Sequence, residues 1–151
     1  EIMFELESSG PDNVAIVTKN MKVNFDVREG EINAGLSVGN IRGAGEFEIG
    51  EVTIRGIGTP SGKTIYDAEV SGVHVGIIGD IEESLDELGV SDILCTTSVR
   101  AIREIEPKMV VSMGNLDAMV SELKYTARTE KKLKIKNAES IVASKEVVIL
   151  T

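Results

Sequence analysis

The sequence is short of the residues on which most catalytic and metal sites depend. It contains one histidine, His74, and one cysteine, Cys95, and it has neither tryptophan nor glutamine. A single cysteine excludes an internal disulfide and fits a reducing compartment, so we expect a cytoplasmic protein. Cys95 ends the apolar run Ile93–Cys95, which predicts a small core residue, because a catalytic thiol needs a histidine partner and a positive environment.

Long hydrophobic runs and an excess of positive charge are also missing. No apolar run approaches the roughly eighteen residues of a membrane span, and no signal-peptide pattern begins the chain. The net charge of -9 and a pI near 4.7 argue against nucleic acid, because phosphate binding depends on clustered Lys and Arg. The one basic segment, Arg128–Lys136, includes Glu130 and predicts a solvated strand edge. We therefore expect neither nucleic acid nor membrane as a partner.

The length and composition are typical of one globular domain. The chain has 151 residues, of which 42% are hydrophobic. That is enough apolar material for one continuous core and too little for two independent cores. We therefore expect a single domain over residues 1–151.

The first half of the chain predicts strands joined by tight turns. Apolar residues alternate or cluster over residues 2–6, 14–17 and 21–27, with turn-forming residues between them. In the third segment the apolar side chains fall on one face of the pleat. These are Met21, Val23, Phe25 and Val27. The pattern indicates a meander of antiparallel strands.

A glycine-rich segment in the middle of the chain invites a phosphate-binding interpretation. Eight glycines fall between Gly35 and Gly62, and Gly56–Thr64 resembles the pattern G-x-x-x-x-G-K-[ST]. However, Ile57 occupies the position of the first required glycine, and a strand pattern follows where a phosphate needs a helix N-terminus. We interpret the segment as a hairpin loop, and the glycines as turn and close-packing residues that could also line a ligand pocket.

The second half alternates short apolar runs with segments of helical period, which is typical of parallel strands joined by crossover helices. Helices are predicted over Ile81–Leu88, over Val99–Glu106 and after Asn115, and strands over 132–136 and 146–151. Ligands of such sheets bind beyond the carboxyl ends of the strands. Asp80 follows Ile77–Gly79 and therefore occupies such a position.

Three residues are candidates for chemistry. Asp80 is either a functional carboxylate or the N-cap of the helix predicted to end at Gly89. Asp26 ends a strand and has the same two interpretations. Two carboxylates can perform acid-base catalysis only if their environments give them different pKa values. His74 lies in mid-strand between two valines, which favours a solvent-facing strand residue. No serine lies in a G-x-S-x-G motif.

The order of these segments resembles the metallo-β-lactamase superfamily, in particular its small zinc-dependent hydrolase-like proteins related to ascorbate-phosphate lactonases. The resemblance covers most of the chain. It rests on residues 41–49, 52–57, 64–66, 75–80, 92–94, 105–111, 131–135 and 147–150. It implies an αββα sandwich, trimmed here, with an antiparallel meander followed by β-α-β-α-β, and a site between the two β layers.

The resemblance also implies metal ligands that this sequence lacks. The superfamily binds its metals through an H-x-H-x-D-H loop, where this chain has Gly35–Asn40, and a later family histidine is replaced at about Gly114. Only Asp80 survives among the ligands, and Asp26 matches an aspartate that lines the family's site. Catalytic zinc needs three protein ligands, usually including imidazole. We therefore expect a degenerate, metal-free member without a cofactor, with Asp80 and Asp26 in a vestigial pocket.

Three hypotheses of function follow from these observations. The first is a non-catalytic binding or interaction module with an unknown protein partner. The second is a hydrolase that keeps the ancestral pocket and uses Asp80 and Asp26, assisted by a hard cation such as magnesium. The third is a homo-oligomeric structural subunit that associates through exposed strand edges.

Overall fold

A computed structural model describes residues 2–35 and 39–151. The first five strands form an antiparallel meander, and a sixth strand from late in the chain joins its β1 side. This six-stranded sheet has the order β13-β1-β2-β3-β4-β5. Its strands are β1 (Phe4–Ser8), β2 (Asn13–Val17), β3 (Lys22–Asp26), β4 (Glu31–Asn33), β5 (Asn40–Arg42) and β13 (Lys132–Ile135).

The second sheet has eight strands in the order β12-β14-β11-β10-β9-β8-β7-β6. Neighbours from β6 to β9 are antiparallel, whereas neighbours from β9 to β12 are parallel. Its strands are β6 (Gly45–Ile49), β7 (Val52–Gly58), β8 (Thr64–Val70), β9 (Val73–Ile78), β10 (Ile93–Thr96), β11 (Met109–Ser112), β12 (Thr126–Glu130) and β14 (Glu146–Leu150). The helices are α1 (Val99–Ile105), α2 (Leu116–Leu123) and a 3-10 helix at Ala138–Ser140.

The main core lies between the two sheets. Val23 and Phe25 of β3 are fully buried and Val27 is almost so, as their alternation predicted. Phe25 meets Tyr66 of β8 edge to face, with ring centroids 5.4 Å apart. A second apolar cluster lies on the other face of the eight-stranded sheet, beneath both helices. Cys95 is fully buried in the main core, as its apolar context predicted, and burial raises the pKa of its thiol to about 12.

The predicted fold is confirmed in its main features. The meander comes first, and β9, β10, β11, β14 and β12 form the parallel part, in which α1 joins β10 to β11 and α2 joins β11 to β12. The segment that resembled a phosphate loop is a hairpin connection, because Gly58 of β7 pairs with Thr64 of β8. Helix α1 begins where the Ser98 side chain accepts a hydrogen bond from the Ala101 N–H group.

The helix predicted over Ile81–Leu88 is wrong, and Asp80 is therefore not a helix N-cap. The segment is irregular and has one turn over residues 86–88, although Ile81, Leu85 and Leu88 are buried as a helical stripe would be. Arginine side chains pair with carbonyl groups of this segment, including those of Ile81 and Glu83, which an α-helix over residues 81–88 would pair internally. Arg100 donates to the carbonyls of Ile81 and Glu83, and Arg55 donates to that of Leu88.

Among the described residues, α-helices pack on only one side of the sandwich, against the eight-stranded sheet. Helix α1 packs on β10 and α2 on β14, both in the eight-stranded sheet. The outer face of the six-stranded sheet carries polar side chains that pair across strands. Glu7 contacts Lys22 and Lys132, Asn24 donates to Asn13, and Arg42 contacts Glu31. This polar face has no apolar stripe against which a further helix could pack.

The basic segment forms edge strands, as predicted. It spans β12, at one edge of the eight-stranded sheet, and β13, at the neighbouring edge of the six-stranded sheet. Within residues 2–35 and 39–151, no helix is long and apolar enough to cross a membrane.

Candidate functional site

The candidate site is a cavity of about 220 Å³ at the carboxyl ends of β9 and β10. Turns of the six-stranded sheet close it from above, and the β7–β8 hairpin loop closes it from the side. The residues that line it share a position at a strand end or in a turn. They are Asp12, Val27, Arg28, Lys63, Thr64, Gly79, Asp80, Ile81 and Thr97. This is the position at which a sheet of this type places its ligands.

Close backbone approaches bring the two sheets together around the cavity. A Cβ atom on Gly79 would lie 3.3 Å from Val27 Cγ2, so the end of β9 meets the turn after β3. Gly30, in the same turn, would place a Cβ 3.6 Å from the Thr64 hydroxyl. The Val27 N–H group donates to the Asp12 carbonyl at 3.0 Å. These contacts align β3 with β9, and β4 with β8, along the rim.

Asp80 lies in the cavity, and its backbone is held by a neighbour. The Lys63 ammonium donates to the Asp80 carbonyl oxygen at 2.6 Å. The Asp80 carboxylate forms no hydrogen bond or ion pair with any described residue, and the residue is exposed. Because Asp80 caps no helix, its carboxylate is available to a ligand.

Asp26 is not brought together with Asp80. Its Oδ1 atom accepts hydrogen bonds from the N–H groups of Arg28 at 3.1 Å and Glu29 at 3.0 Å, and the residue does not line the cavity. Its carboxylate therefore holds the turn that presents Arg28.

The second carboxylate of the cavity belongs to Asp12, which the sequence reasoning did not select. Asp12 lies in the turn between β1 and β2 and adopts a left-handed conformation with φ of 58°. The only local signal at Asp12 is its place in the turn cluster Ser9–Asn13 of the six-stranded sheet, which packs over the sheet that carries Asp80. The cluster was interpreted only as a turn, because nothing local distinguishes a turn aspartate from a ligand-binding one.

Two cations share the cavity with these carboxylates. Arg28 and Lys63 form no ion pair within the described part of the chain, and neither do Asp12 and Asp80. Thr64 is only 5% exposed, and its hydroxyl has no hydrogen-bond partner among the described residues.

A second hydroxyl at the wall of the cavity also lacks a partner. The Thr97 Oγ1 atom is buried and forms no hydrogen bond with any described residue. Buried polar groups without a partner are uncommon, because each loses its hydrogen bonds to water. The cavity thus carries donors and acceptors that the fold itself does not use.

The single histidine lies elsewhere. His74 is the second residue of β9, on the outer face of the sheet, and its Nδ1 atom is 3.1 and 3.2 Å from the two carboxylate oxygens of Asp67. Its Nε2 atom is 3.3 Å from Glu69 Oε2. Asp80 follows His74 by six residue steps of largely extended chain, which is about 20 Å at about 3.3 Å per residue. The imidazole cannot reach the cavity.

The residues of the cavity do not fit the zinc that the fold would imply. Catalytic zinc needs three protein ligands, usually with imidazole among them, whereas this cavity offers two carboxylates and two hydroxyls beside two cations. No group of three or more His, Cys, Asp or Glu in residues 2–35 and 39–151 is arranged to hold a metal ion. Arg28 and Lys63 would also offset the attraction of a dication to the two carboxylates.

The family resemblance implies two further positions for metal ligands. Of the segment Gly35–Asn40, which stands in place of the metal loop, Leu36, Ser37 and Val38 lie outside the described residues. Gly114, at about the position of the family's later histidine, borders the cavity wall. A Cβ atom on Gly114 would lie 3.3 Å from Thr97 Cγ2.

Comparison with known proteins identifies the fold. No protein-family model matches the sequence, and no curated protein matches it. A crystal structure from Thermotoga maritima, of a protein proposed to be a Zn-dependent hydrolase of the metallo-β-lactamase superfamily, matches with a TM-score of 0.69 and 19% identity. The match covers 97% of this chain and 98% of that one. The chain has a metallo-β-lactamase-like fold.

Proposed function

We propose that this chain is a non-catalytic binding module built on a metallo-β-lactamase-like fold. In this proposal it is a metal-free derivative of the small zinc-dependent hydrolase-like proteins related to ascorbate-phosphate lactonases. The cavity at Asp80 is the remnant of the ancestral site and holds a polar ligand without converting it.

The observation that carries the proposal is the position of His74. Zinc hydrolases lower the pKa of a metal-bound water through a metal that imidazoles help to hold. The one imidazole of this chain is engaged by Asp67 and Glu69 on the outer face of the eight-stranded sheet. The cavity itself is lined by two cations, Arg28 and Lys63, beside the two carboxylates of Asp12 and Asp80.

The unused hydrogen-bonding groups of the cavity support binding in place of catalysis. Arg28 and Lys63 offer donors, Asp12 and Asp80 offer acceptors, and Thr64 and Thr97 offer hydroxyls. A ligand that satisfies these groups would gain charge-assisted hydrogen bonds, each worth about 1.5–3 kcal/mol. No nucleophile with an adjacent general base lies among the residues that line the cavity.

A hydrolysis screen with metal analysis tests the proposal. Purified protein, prepared without chelators, is assayed against ester, lactone and phosphodiester substrates with added zinc, manganese or magnesium, alongside elemental analysis and thermal melts. We expect no stoichiometric metal, no increase in melting temperature and no turnover above background. Turnover that is lost on chelation and in Asp80→Asn would refute the proposal.

A magnesium-assisted hydrolase is the second candidate, favoured by the two unpaired carboxylates of Asp12 and Asp80. Mg²⁺ binds through one or two carboxylates and waters, so two are sufficient. Asp26 cannot contribute in the observed conformation, because it holds its own turn. The screen separates the candidates: magnesium-dependent turnover that survives in Asp26→Asn but disappears in Asp12→Asn and Asp80→Asn would favour the hydrolase.

A further inference from the structure

Strand β13 lies at an edge of the six-stranded sheet, and no described strand pairs with its second side. The Met3 N–H group donates to the Ile135 carbonyl at 2.8 Å, so the backbone groups of Ile135 face β1. Backbone groups of successive residues in a strand point to opposite sides. The N–H and C=O groups of Lys132 and Lys134 therefore point away from the sheet, where another strand can pair with them.

The side chains of this edge alternate between the core and positive charge. Leu133 and Ile135 are buried in the core between the sheets, whereas Lys132, Lys134 and Lys136 are exposed. Alternate residues of a strand share one face, so Lys132 and Lys134 lie on the outer face, and Lys136 follows directly after the strand. An extended segment that pairs with β13 would therefore meet ammonium groups at two-residue spacing.

The segment around this edge is basic, although the chain as a whole has a net charge of -9. Residues 128–136 contain one acidic residue, Glu130, and five basic residues, which are Arg128, Lys131, Lys132, Lys134 and Lys136. At physiological ionic strength, charges more than about 8 Å apart are largely screened from each other. An approaching segment therefore responds to the lysines beside it more than to acidic groups on distant surfaces.

Strand β1 already places acidic residues opposite these lysines. Glu7 is opposite Lys132, with 3.7 Å between Glu7 Oε2 and Lys132 Nζ, and Glu5 is opposite Lys134. Opposite charges directly across two strands stabilise their pairing, whereas like charges destabilise it. A strand added to the free side of β13 would lie about 10 Å from β1, so its acidic residues would be nearer to the lysines than to Glu5 and Glu7.

The neighbouring edge strand, β12, does not have this pattern. Its one basic side chain, Arg128, contacts Glu130 at 2.8 Å and Glu146 at 3.0 Å. The positive charge of β12 is therefore already paired within the fold. Of the two edges, β13 is the one that favours an acidic strand.

We propose that the edge of β13 is an interaction surface that binds an extended acidic segment of a partner protein by strand addition. The segment has Asp or Glu at alternate positions, opposite Lys132, Lys134 and Lys136, with β-branched residues between them. Its backbone pairs with the outward N–H and C=O groups of Lys132 and Lys134. The β13 strand of a second copy is excluded from this edge, because lysines would meet lysines. The surface is independent of the cavity at Asp80.

NMR titration of the intact chain with a designed peptide tests the surface. The probe has about eight residues, within the usual length of a strand, with glutamate at every second position and valine or threonine between. We expect chemical-shift changes along β13 and slower hydrogen exchange at the amides of Lys132 and Lys134, because these outward N–H groups gain a partner. The amides of Leu133 and Ile135 face β1 and should change little. Added salt should weaken binding.

Matched peptides separate strand pairing from simple attraction between charges. One has lysine in place of every glutamate. A second has the same composition with its glutamates in one block, and a third has N-methyl groups on the amides that would face β13. Each should bind at least about fivefold more weakly than the probe, because each removes either the opposite charges, their spacing or the backbone donors.

Variants of the chain locate the bound peptide. Lys132→Gln with Lys134→Gln should weaken binding at least about fivefold, because it removes two of the paired charges. Lys19→Gln with Lys145→Gln makes the same change at exposed positions outside the strands, and it should leave the affinity unchanged. Circular dichroism and sedimentation confirm that each variant is folded and monomeric.

Other occupants of the edge give different results. Equal binding of the block or N-methylated peptide overturns strand addition, and so does the absence of any change at β13. Single-stranded DNA that binds more tightly than the probe, and that is lost in Lys132→Gln with Lys134→Gln, assigns the edge to nucleic acid and overturns the peptide partner. Self-association of the wild-type chain that protects the amides of Lys132 and Lys134 assigns the edge to a second copy and overturns it as well.

Discussion

Gly76, in the middle of β9, lies where there is no room for a side chain. A Cβ atom there would lie 2.5 Å from Ser91 Oγ and 3.0 Å from Leu94 Cδ1. Its backbone is not in the left-handed region, so the constraint is steric. We predict that Gly76→Ala lowers the free energy of unfolding by about 1–3 kcal/mol, the usual cost of overpacking a core. Urea unfolding measures the change.

Gly58 provides the matched control for that prediction. It also lies in a strand without a positive φ, but a Cβ atom there would meet only Ala44 Cβ, at 3.6 Å. Gly58→Ala should be neutral or stabilising by about 0.5–1 kcal/mol, because glycine is unfavourable in a strand. If both variants unfold alike, steric crowding at Gly76 is not the cause. Ser91→Ala combined with Gly76→Ala should restore part of the loss.

Tyr66 carries a buried hydroxyl without a partner. Tyr66 is fully buried in the core between the sheets, and no described residue accepts or donates a hydrogen bond at its OH group. Burial first, and then the negative charges of Asp26 and Glu31, raise the pKa of Tyr66 to about 12. We predict that Tyr66→Phe raises the free energy of unfolding near neutral pH by about 1 kcal/mol, because it removes an unsatisfied polar group. Tyr125→Phe, at the other tyrosine, is the control.

The raised pKa of Tyr66 also predicts instability in alkali. Between its unfolded pKa near 10 and its folded pKa near 12, the unfolded state loses the phenolic proton first. The free energy of unfolding should therefore fall as pH rises through this window, by on the order of 2–3 kcal/mol for a shift of two units. Burial also raises the pKa of the Cys95 thiol, so this group likewise lowers the free energy of unfolding as pH rises above about 9. Urea melts from pH 8 to 11.5 should show a shallower decline in Tyr66→Phe, and parallel declines would contradict the assignment.

At the scale of elements, the irregular segment after β9 depends on Arg100. Its guanidinium donates to the carbonyls of Ile81 at 3.0 Å and Glu83 at 2.7 Å, and it contacts Glu104 at 2.7 Å. We predict that Arg100→Met lowers the free energy of unfolding by about 1–3 kcal/mol, because these carbonyls lose charged donors. Hydrogen exchange over residues 81–89 should accelerate more than in α1 itself.

Arg103→Met, one turn later on the same helix, is the control for Arg100→Met. Arg103 is exposed, and no described residue forms an ion pair with it. Its replacement should cost only the few tenths of a kcal/mol expected for a cation near a helix C-terminus. Equal effects of the two substitutions would show that the segment is held by its apolar contacts alone.

The same segment shows why one of the three predicted helices was wrong. Helices α1 and α2 were predictable because apolar periodicity coincided with local signals, such as Pro107 after the first and Asn115 before the second. Ile81, Leu85 and Leu88 have the same periodicity and are buried. Arg100, which donates to carbonyls of this segment, lies 17 to 19 residues further along the chain, so no local pattern reveals these bonds.

The candidate site, like the helices, was predictable only in part from the sequence. Topology placed Asp80 at the carboxyl end of a parallel strand, where the structure has it. It could not show that Asp12, Arg28 and Lys63 meet there, because these residues come from three turns in two sheets. Asp26 was a candidate from its place at a strand end and from the family resemblance, whereas its bonds to the N–H groups of Arg28 and Glu29 depend on the conformation of the turn.

At the scale of the whole molecule, the two sheets leave open edges where the chain crosses between them. Two of the three crossings join edge strands: β5 to β6 through Gly43 and Ala44, and β12 to β13 through Lys131. Open edges can pair with another copy of the chain. On β13 the inward residues Leu133 and Ile135 are buried, whereas Lys132 and Lys134 are exposed. Lysines on an edge strand oppose such pairing, so we expect the wild-type chain to be monomeric.

Removing this charge should promote association. We predict that the double substitution Lys132→Val and Lys134→Val produces concentration-dependent oligomers in sedimentation velocity, because β13 then presents a continuous apolar edge. The matched control is Lys19→Val with Lys145→Val, which makes the same change in charge and hydropathy at exposed positions outside the strands, without a positive φ. If the control variant associates equally, the cause is the added hydrophobic surface in general and not the edge of β13. A wild-type chain that already associates at the same concentrations would instead favour the homo-oligomeric subunit, with these edges as its interface.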